Sequence, residues 1–274
     1  MKLKYISTYL LSSFLVASIA LVSCSNDDDV VIDPTTKGDL RIEFDNVVGD
    51  RDLALNTGNY QNAAGEAFTV TTLNYYVSNI KLLQADGSSY TVPKDSSYFL
   101  IRESNVESQT VTLKNVPAGE YTGVQFIIGV DSLKSVSDIS QRTGILDIGS
   151  GPTNDEAMYW DWNPGYIFLK LEGISPVATS ANSKFYYHIG GFGGRTAKTI
   201  NNLRTVKVDF AGKKASVTKD LSPEVHLLAD VLKIFSGSTQ LSIKANTGVM
   251  FTDYSQNIAN NYVNMFTLDH IHAD

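Results

Sequence analysis

Four histidines are the side chains of this 274-residue sequence best suited to bind a metal ion. They are His188, His226, His270 and His272. His270 and His272 are separated by one residue, so in a β-strand both imidazoles would lie on one face and could bind one ion. A disordered polar tail is the alternative for this pair, because chain termini are commonly disordered. His188 could be a ligand or a hydrogen-bonded strand residue, and His226 is predicted to be structural.

The segment MYWDWNPGY, residues 158–166, holds both tryptophans of the chain. In a strand, Trp160 and Trp162 would point to one face together with Met158 and form a continuous apolar surface. The Asn-Pro-Gly that follows would end the strand, because proline lacks an N–H donor and glycine tolerates positive φ. The surface could close one end of the domain or take part in binding, since aromatic side chains bury large areas.

Sequence motifs of catalysis are missing from the chain. It lacks the G-x-S-x-G nucleophile motif, and its single cysteine is Cys24. Asp155 and Glu156 are adjacent, but only three-dimensional geometry could identify a glycosidase pair. The glycine-rich GGFGGR, residues 190–195, precedes no clear helix, which favours a loop over a phosphate site. We therefore predict that the protein is not an enzyme.

The charge balance argues against one class of partner. The chain has 29 acidic and 22 basic side chains, a net charge of −7 and a sequence pI of about 5.1. Proteins that bind nucleic acids usually present a basic surface to the phosphates. We therefore expect no nucleic-acid partner.

The elements that must position these residues are predicted to be strands. After residue 39 the sequence consists of short apolar or alternating runs between turn residues, such as LRIEFDNVV at 40–48. Asp86-Gly87 predicts a hairpin turn, and Pro117–Gly119 predicts a second. Further strands are predicted at 165–173, 184–191, 203–210 and 231–237, and short helices at 135–144 and 255–266. This pattern is typical of an all-β, Ig-like sandwich with a single domain.

The N-terminal region has the features of a bacterial lipoprotein. In residues 1–23, Lys2 and Lys4 precede an apolar run that is too short and too polar for a membrane span, which predicts a signal peptide. LVSC at 21–24 resembles a lipobox, so Cys24 is predicted to carry the lipid. Residues 24–38 would be an acidic tether before the domain at 39–274. SNDDD is similar to the acidic tract of Bacteroidetes surface lipoproteins, which implies a surface-exposed outer-membrane lipoprotein held by its lipid anchor.

A longer segment carries a family resemblance. MYWDWNPGYIFLKLEG, residues 158–173, resembles the M-x-W-x-W-x-x-G-Y-x-F-x-K-x-E/D-G signature of MbnP-like proteins. These are the copper-binding partners of methanobactin clusters and the related surface copper proteins of methanotrophs. The segments LNYYVSNIKL, VPAGEYTGVQFIIGVD, FYYHIGG and NNYVNMF agree in the same order. The similarity extends from about Leu40 to the C-terminus.

The resemblance implies a β-sandwich that binds one Cu(I) and has a tryptophan oxidised to kynurenine by a partner di-haem peroxidase of the MauG type. Trp160 would be the modified residue, with Trp162 second, and His188 is the best-matched ligand. The family pattern places a histidine two residues after the modified tryptophan, where this chain has Trp162. Copper could instead use Met158 or the His270–His272 pair, since thioether and imidazole suit Cu(I), or it could be absent.

A different class of function stays open. A surface adhesin or glycan-binding lipoprotein would stack sugars on Trp160, Trp162 and the neighbouring tyrosines. That function requires a solvent-exposed indole surface with no histidine within ligand reach. A hydrolase would require converging carboxylates in a cleft, for which the sequence has no marker.

Overall fold

The computed structural model describes residues 32–148, 158–160 and 165–273. The predicted signal peptide, Cys24, Trp162 and the Asp155-Glu156 pair lie outside these ranges. The lipid anchor therefore stays a prediction. Within the described ranges, no helix combines the length and the apolar character needed to cross a bilayer.

The described residues form a mostly β structure. The strands are β1 (Lys37–Val48), β2 (Arg51–Asp52), β3 (Tyr60–Gln61), β4 (Ala67–Leu83), β5 (Ser89–Thr91), β6 (Tyr98–Arg102), β7 (Thr110–Pro117), β8 (Gly119–Tyr121), β9 (Gly123–Ile128), β10 (Tyr159–Trp160), β11 (Gly165–Ile174), β12 (Lys184–Gly190), β13 (Arg204–Asp209), β14 (Ala215–Val217), β15 (Glu224–Asp230), β16 (Gly248–Val249) and β17 (Phe266–His272). The α-helices are α1 (Ser132–Val136), α2 (Leu232–Phe235) and α3 (Ser255–Tyr262). Short 3-10 helices lie at Lys94–Ser96, Val106–Ser108, Ile139–Gln141, Gly144–Leu146 and Ala181–Ser183.

Two mixed sheets contain most of the strands. The five-stranded sheet has the order β17-β15-β1-β2, with β7 also paired to β1. The ten-stranded sheet has the order β13-β9-β4-β11-β12-β16, with β3, β5 and β6 paired to β4 and β10 to β11. β1 and β15 are parallel, as are β12 and β16. The β prediction is confirmed, but an Ig-like arrangement is not, because Ig sheets are antiparallel.

The turn at Pro117–Gly119 does not form the predicted hairpin. β7 pairs with β1 in the five-stranded sheet, whereas β9 pairs with β4 and β13 in the ten-stranded sheet. The chain therefore passes from one sheet to the other between β7 and β9, through β8, which pairs with β14 in a separate two-stranded sheet. By contrast, the turn at Gly87, with φ +84°, joins β4 and β5 as a hairpin.

The two predicted helices and the last predicted strand have different outcomes. Helix α3 lies within 255–266, as predicted, whereas 135–144 holds only the end of α1 and one 3-10 turn. The strand predicted at 231–237 is wrong, because this segment contains helix α2 with Ile234 and Phe235 fully buried. A short continuous apolar run does not distinguish a buried strand from a buried helix.

The main core lies between the two sheets. Phe44 of β1 contacts Phe126 of β9 edge to face, with ring centroids 5.6 Å apart, so the sheets pack face to face. On β11, Leu169 and Leu171 belong to this core. Since side chains alternate along a strand, Lys170 and the other residues of β11 that alternate with these leucines point to the outer face of the ten-stranded sheet.

A second apolar cluster covers part of that outer face. It includes Tyr76 of β4, Tyr166 and Phe168 of β11, and Met158 and Trp160 at β10. We call this outer surface, together with the polar residues of β11 and β12 beside the cluster, the tryptophan face.

Candidate metal centre

Three adjacent strands of the five-stranded sheet bring three histidines together. Glu43 on β1 is the register partner of His226 on β15, and His226 is the partner of His270 on β17. The next row of partners consists of Arg41, Glu224 and His272. The strand pairing therefore places three imidazoles, two carboxylates and one guanidinium in two rows. We call this outer surface of β1, β15 and β17 the histidine face.

The alternation of β15 explains why these side chains point outward. Val225 and Leu227 are fully buried in the main core. Glu224 and His226 alternate with them and therefore lie on the opposite side of the strand. The hydrophobic pattern thus fixes the direction of His226, and the register fixes its neighbours.

The three imidazoles are in direct contact. The Nε2 atoms of His270 and His272 lie 2.9 Å apart. The His226 ring stacks on that of His270 with centroids 4.2 Å apart, and its centroid lies 5.0 Å from that of His272. One nitrogen from each ring lies within 4.8 Å of the other two, so the three could hold one metal ion.

Carboxylates stand beside two of the rings. His270 Nδ1 lies 2.7 Å from Asp269 Oδ2, and His226 Nδ1 lies 2.6 Å from Glu43 Oε2. An ionised carboxylate can only accept a hydrogen bond, so each favours a proton on Nδ1, which makes Nε2 the nitrogen that would bind a metal. Metal-binding histidines are commonly oriented in this way.

Glu224 occupies the other side of the His226 ring. Its Oε1 atom lies 3.0 Å from His226 Nε2, and its Oε2 atom lies 2.6 Å from Arg41 Nε. Glu43, Glu224 and His226 form a second group that could hold a cation. The two possible groups share His226.

The dimensions of the cluster suit a small metal ion. Two nitrogens bound to one tetrahedral ion at about 2.0–2.1 Å would be about 3.3 Å apart. The separation of 2.9 Å between the Nε2 atoms of His270 and His272 is slightly shorter, so a small rotation of either ring would open the space. The side chains of His226 and His270 are 20% and 40% exposed, which leaves the site accessible from solvent.

The electrostatic environment also favours a cation. Burial, followed by the nearby charges of Asp52 and Asp269, raises the pKa of the Asp45 carboxyl, and the charge of His226 opposes this shift. A carboxyl whose pKa is raised by other carboxylates lies in a negative potential. That potential would attract a metal ion.

The tryptophan face lacks such a convergence among its described residues. Met158 and Trp160 are buried in its apolar cluster, and Trp160 is 8% exposed. The indole lies against Gly190 of β12, where an added Cβ would come within 2.8 Å of Trp160 Cζ3 and 2.5 Å of the Tyr166 carbonyl oxygen. The close contact thus requires glycine at position 190.

His188 lies on the same face as Trp160, because it precedes Gly190 by two residues on β12. Its Nε2 atom lies 2.6 Å from Glu172 Oε1. The hydrogen bond from His188 lowers the pKa of Glu172, and the charge of Lys170 acts in the same direction. His188, Glu172 and Met250 line an open groove of about 380 Å³.

The structure divides the predicted ligands between two sheets. His270 and His272 lie on the histidine face, whereas His188 and Met158 lie on the tryptophan face. These four residues therefore do not form one site. His226, which we predicted to be structural, lies beside His270 and His272 instead.

Three carboxylates of the cluster, Glu43, Glu224 and Asp269, carried no signal in the sequence patterns. The alternating segment EVHLLAD, residues 224–230, could have indicated a strand with His226 on its polar side. No local pattern indicates that this strand pairs with β1 or β17.

Comparison with known proteins agrees with the family resemblance. Residues 37–252 match the family model of MbnP. Among solved structures, MbnP from Methylosinus trichosporium is similar in fold, with a TM-score of 0.51 and 16% sequence identity. The similarity covers 86% of this chain and 98% of that chain. No curated protein sequence is significantly similar.

Proposed function

The chain belongs to the MbnP family, and on that premise we propose that it is a surface lipoprotein that binds one copper ion and has no catalytic activity of its own. The observation that carries the proposal is the convergence of His226, His270 and His272 within 4.8 Å. Imidazole is a good ligand for copper. An exposed cluster of three such donors has no evident role in folding, because the core lies on the other side of these strands.

The copper ligands that we propose differ from those implied by the resemblance. His270 and His272 lie beyond residue 252, where the family match ends. The third ligand, His226, comes from a strand inside the matched region. We therefore propose that this site belongs to this chain and is built on the family fold.

Trp160 is the proposed site of oxidation to kynurenine by a di-haem peroxidase of the MauG type. The signature at 158–173 supports this assignment, and it lies inside the family match. Because Trp160 is on the tryptophan face, copper binding at the histidine face would not require the modified residue. Peptide mass mapping of the native protein, which separates Trp160 from Trp162, tests the modification.

The glycan-binding alternative has less support. It requires exposed indole rings, but Trp160 is 8% exposed and packs against Gly190. Anchoring at the outer membrane through Cys24 is supported by the signal-peptide features of residues 1–23, the lipobox and the SNDDD tract, and acylation of the expressed protein tests it.

Copper titration against a competing chelator tests the proposal. In the full chain, His226→Ala and the double change of His270 and His272 to alanine are each expected to weaken copper binding by about 100-fold, which is about 2.7 kcal/mol. The matched control is His188→Ala, which removes an imidazole next to a carboxylate on the other sheet. We expect its affinity to equal that of the unmodified chain.

Two results would contradict the assignment in different ways. If His188→Ala lost copper and the cluster variants kept it, copper would bind at the tryptophan face. If the unmodified chain bound copper no better than a variant in which His226, His270 and His272 are all changed to alanine, these residues would not form a copper site.

A further inference from the structure

We propose that the histidine face holds its ion in the divalent state, with the Glu224 carboxylate as the fourth ligand, and that Arg41 competes with the ion for this carboxylate. The proposal rests on the proposed function, because it concerns the same three histidines. It goes beyond that function by naming the oxidation state that the site prefers and two residues that set this preference.

The donors around the three imidazoles are nitrogen and oxygen. Imidazole binds copper in either oxidation state, but thiolate and thioether ligands select Cu(I), whereas a mixed set of nitrogen and oxygen ligands suits Cu(II) and Zn(II). Cys24 is the only cysteine in the chain. Of the described methionines, Met158 belongs to the tryptophan face, Met250 lies in the groove beside His188, and Met265 is buried in the main core. The histidine face therefore has no soft sulfur donor among the described residues.

Glu224 and Glu43 contact different nitrogens of the same ring. Glu43 stands beside His226 Nδ1, and Glu224 stands beside His226 Nε2. A metal ion bound to Nε2 would therefore lie next to the Glu224 carboxylate. Glu43 would accept a hydrogen bond from Nδ1, on the opposite side of the ring, and fix its orientation. Glu224 is also the register partner of His272, so its strand position neighbours that of a second imidazole. We assign Glu224 as a ligand and Glu43 as a positioning residue.

Arg41 already neutralises Glu224 in the absence of metal. The two side chains form an ion pair at 2.6 Å, with exposures of 38% for Arg41 and 18% for Glu224. A divalent ion on Glu224 would stand close to the guanidinium and repel it. Arg41 thus stabilises the metal-free site and weakens the metal-bound one, and more so for a divalent than for a monovalent ion.

Paired titrations with Cu(II), Zn(II) and Cu(I) test the inference on the full chain. We expect Glu224→Gln to weaken Cu(II) and Zn(II) binding by at least about tenfold and to change Cu(I) affinity by less than about threefold. Arg41→Gln is expected to strengthen Cu(II) binding by about three- to tenfold, and less at high salt. The control is Glu120→Gln, which breaks an exposed ion pair with Lys214 away from the cluster and should change neither affinity.

Electron paramagnetic resonance of the Cu(II) protein gives a readout that a folding defect would not imitate. Loss of an oxygen ligand in Glu224→Gln should shift the g and hyperfine values, whereas Glu43→Gln should lower affinity by about tenfold and leave the ligand count unchanged. Thermal unfolding of the metal-free variants checks that each still folds.

The outcomes separate this inference from the proposed function. If the binding of neither Cu(I) nor Cu(II) depends on the three histidines, the proposed function fails. If copper depends on them but Glu224→Gln binds Cu(II) as tightly as the unmodified chain, or Cu(I) binds more tightly than Cu(II), then the site is real and the divalent assignment is wrong.

Discussion

The histidine face and the tryptophan face contain the same types of polar residue in different arrangements. Each has a histidine beside a glutamate and a cation: His226, Glu224 and Arg41 on one, and His188, Glu172 and Lys170 on the other. On the tryptophan face, one imidazole meets one carboxylate next to a buried aromatic cluster. On the histidine face, three imidazoles meet on an accessible surface. Residue type alone therefore does not identify a metal site. The number of donor atoms that converge on one point identifies it.

One carboxyl group on each face has a shifted pKa, and the two shifts have opposite directions. The pKa of Glu172 is lowered, first by its hydrogen bond from His188. The pKa of Asp45 is raised by burial and by neighbouring carboxylates. The tryptophan face is thus internally balanced in charge, whereas the histidine face has surplus negative charge that a cation would relieve.

The largest expected effect concerns stability without metal. Trp160→Ala should lower the free energy of unfolding by about 3–5 kcal/mol, because it leaves a cavity in the buried cluster. His226→Ala should lower it by less than about 1 kcal/mol in the presence of a chelator. Urea unfolding of both variants measures the difference.

Trp160→Phe is the control, since it keeps an aromatic ring in the cluster and should lose less than Trp160→Ala. Equal losses for Trp160→Ala and His226→Ala would remove the distinction between a structural face and a binding face.

A smaller effect is expected from Glu172→Gln on the tryptophan face. The lowered pKa of Glu172 means that its ionised form stabilises the fold above its ordinary value of 4.5, and that this contribution is lost as the pH falls through the lower folded value. We expect a loss of about 1 kcal/mol at pH 7, since the pair is partly screened by solvent. Unfolding experiments from pH 7 to about pH 3, which extend below the ordinary pKa of 4.5, measure it.

The loss should shrink toward the acid end of that range. A loss that stayed constant with pH would show that Glu172 acts through packing and not through its charge.

The smallest effect, of opposite sign, is expected from Asp45→Asn on the histidine face. A raised pKa means that ionised Asp45 destabilises the fold at pH 7, and that this penalty fades as the pH falls through the folded pKa. The variant should therefore be more stable than the unmodified chain by a few tenths of a kcal/mol, because Asp45 is largely screened. Thermal unfolding at pH 7 with a chelator measures the gain.

The Asp45→Asn gain should disappear when a divalent ion is bound, since the ion would then favour the carboxylate. A destabilised variant under chelator would mean that the histidine face has no surplus negative charge.

Side-chain direction was predictable from the sequence, but strand partners were not. Met158 and Trp160 lie in one cluster, but Tyr159 between them also packs against it, so the cluster does not test their alternation. The same rule predicted that His270 and His272 share one face of a strand, and their Nε2 atoms lie 2.9 Å apart. The prediction for this pair succeeds because the period of a strand is a local property.

The third ligand could not be predicted, because it depends on long-range pairing. His226 lies 44 residues before His270 in the chain, and β15 runs parallel to β1, whose Glu43 is more than 180 residues earlier. Nothing in EVHLLAD encodes those neighbours. The family signature indicated the fold, but it drew attention to His188, which the structure places beside Glu172.

The proposed ligands come from two strands, with one imidazole on β15 and two on β17. An ion shared between them would act as a reversible cross-link, closing the chain between residues 226 and 270 much as a disulfide would. β17 lies at one end of the five-stranded sheet and pairs with β15 alone, so the ion would hold an edge strand in place. Amide hydrogen exchange in residues 266–272 would then report how much of the protein carries metal.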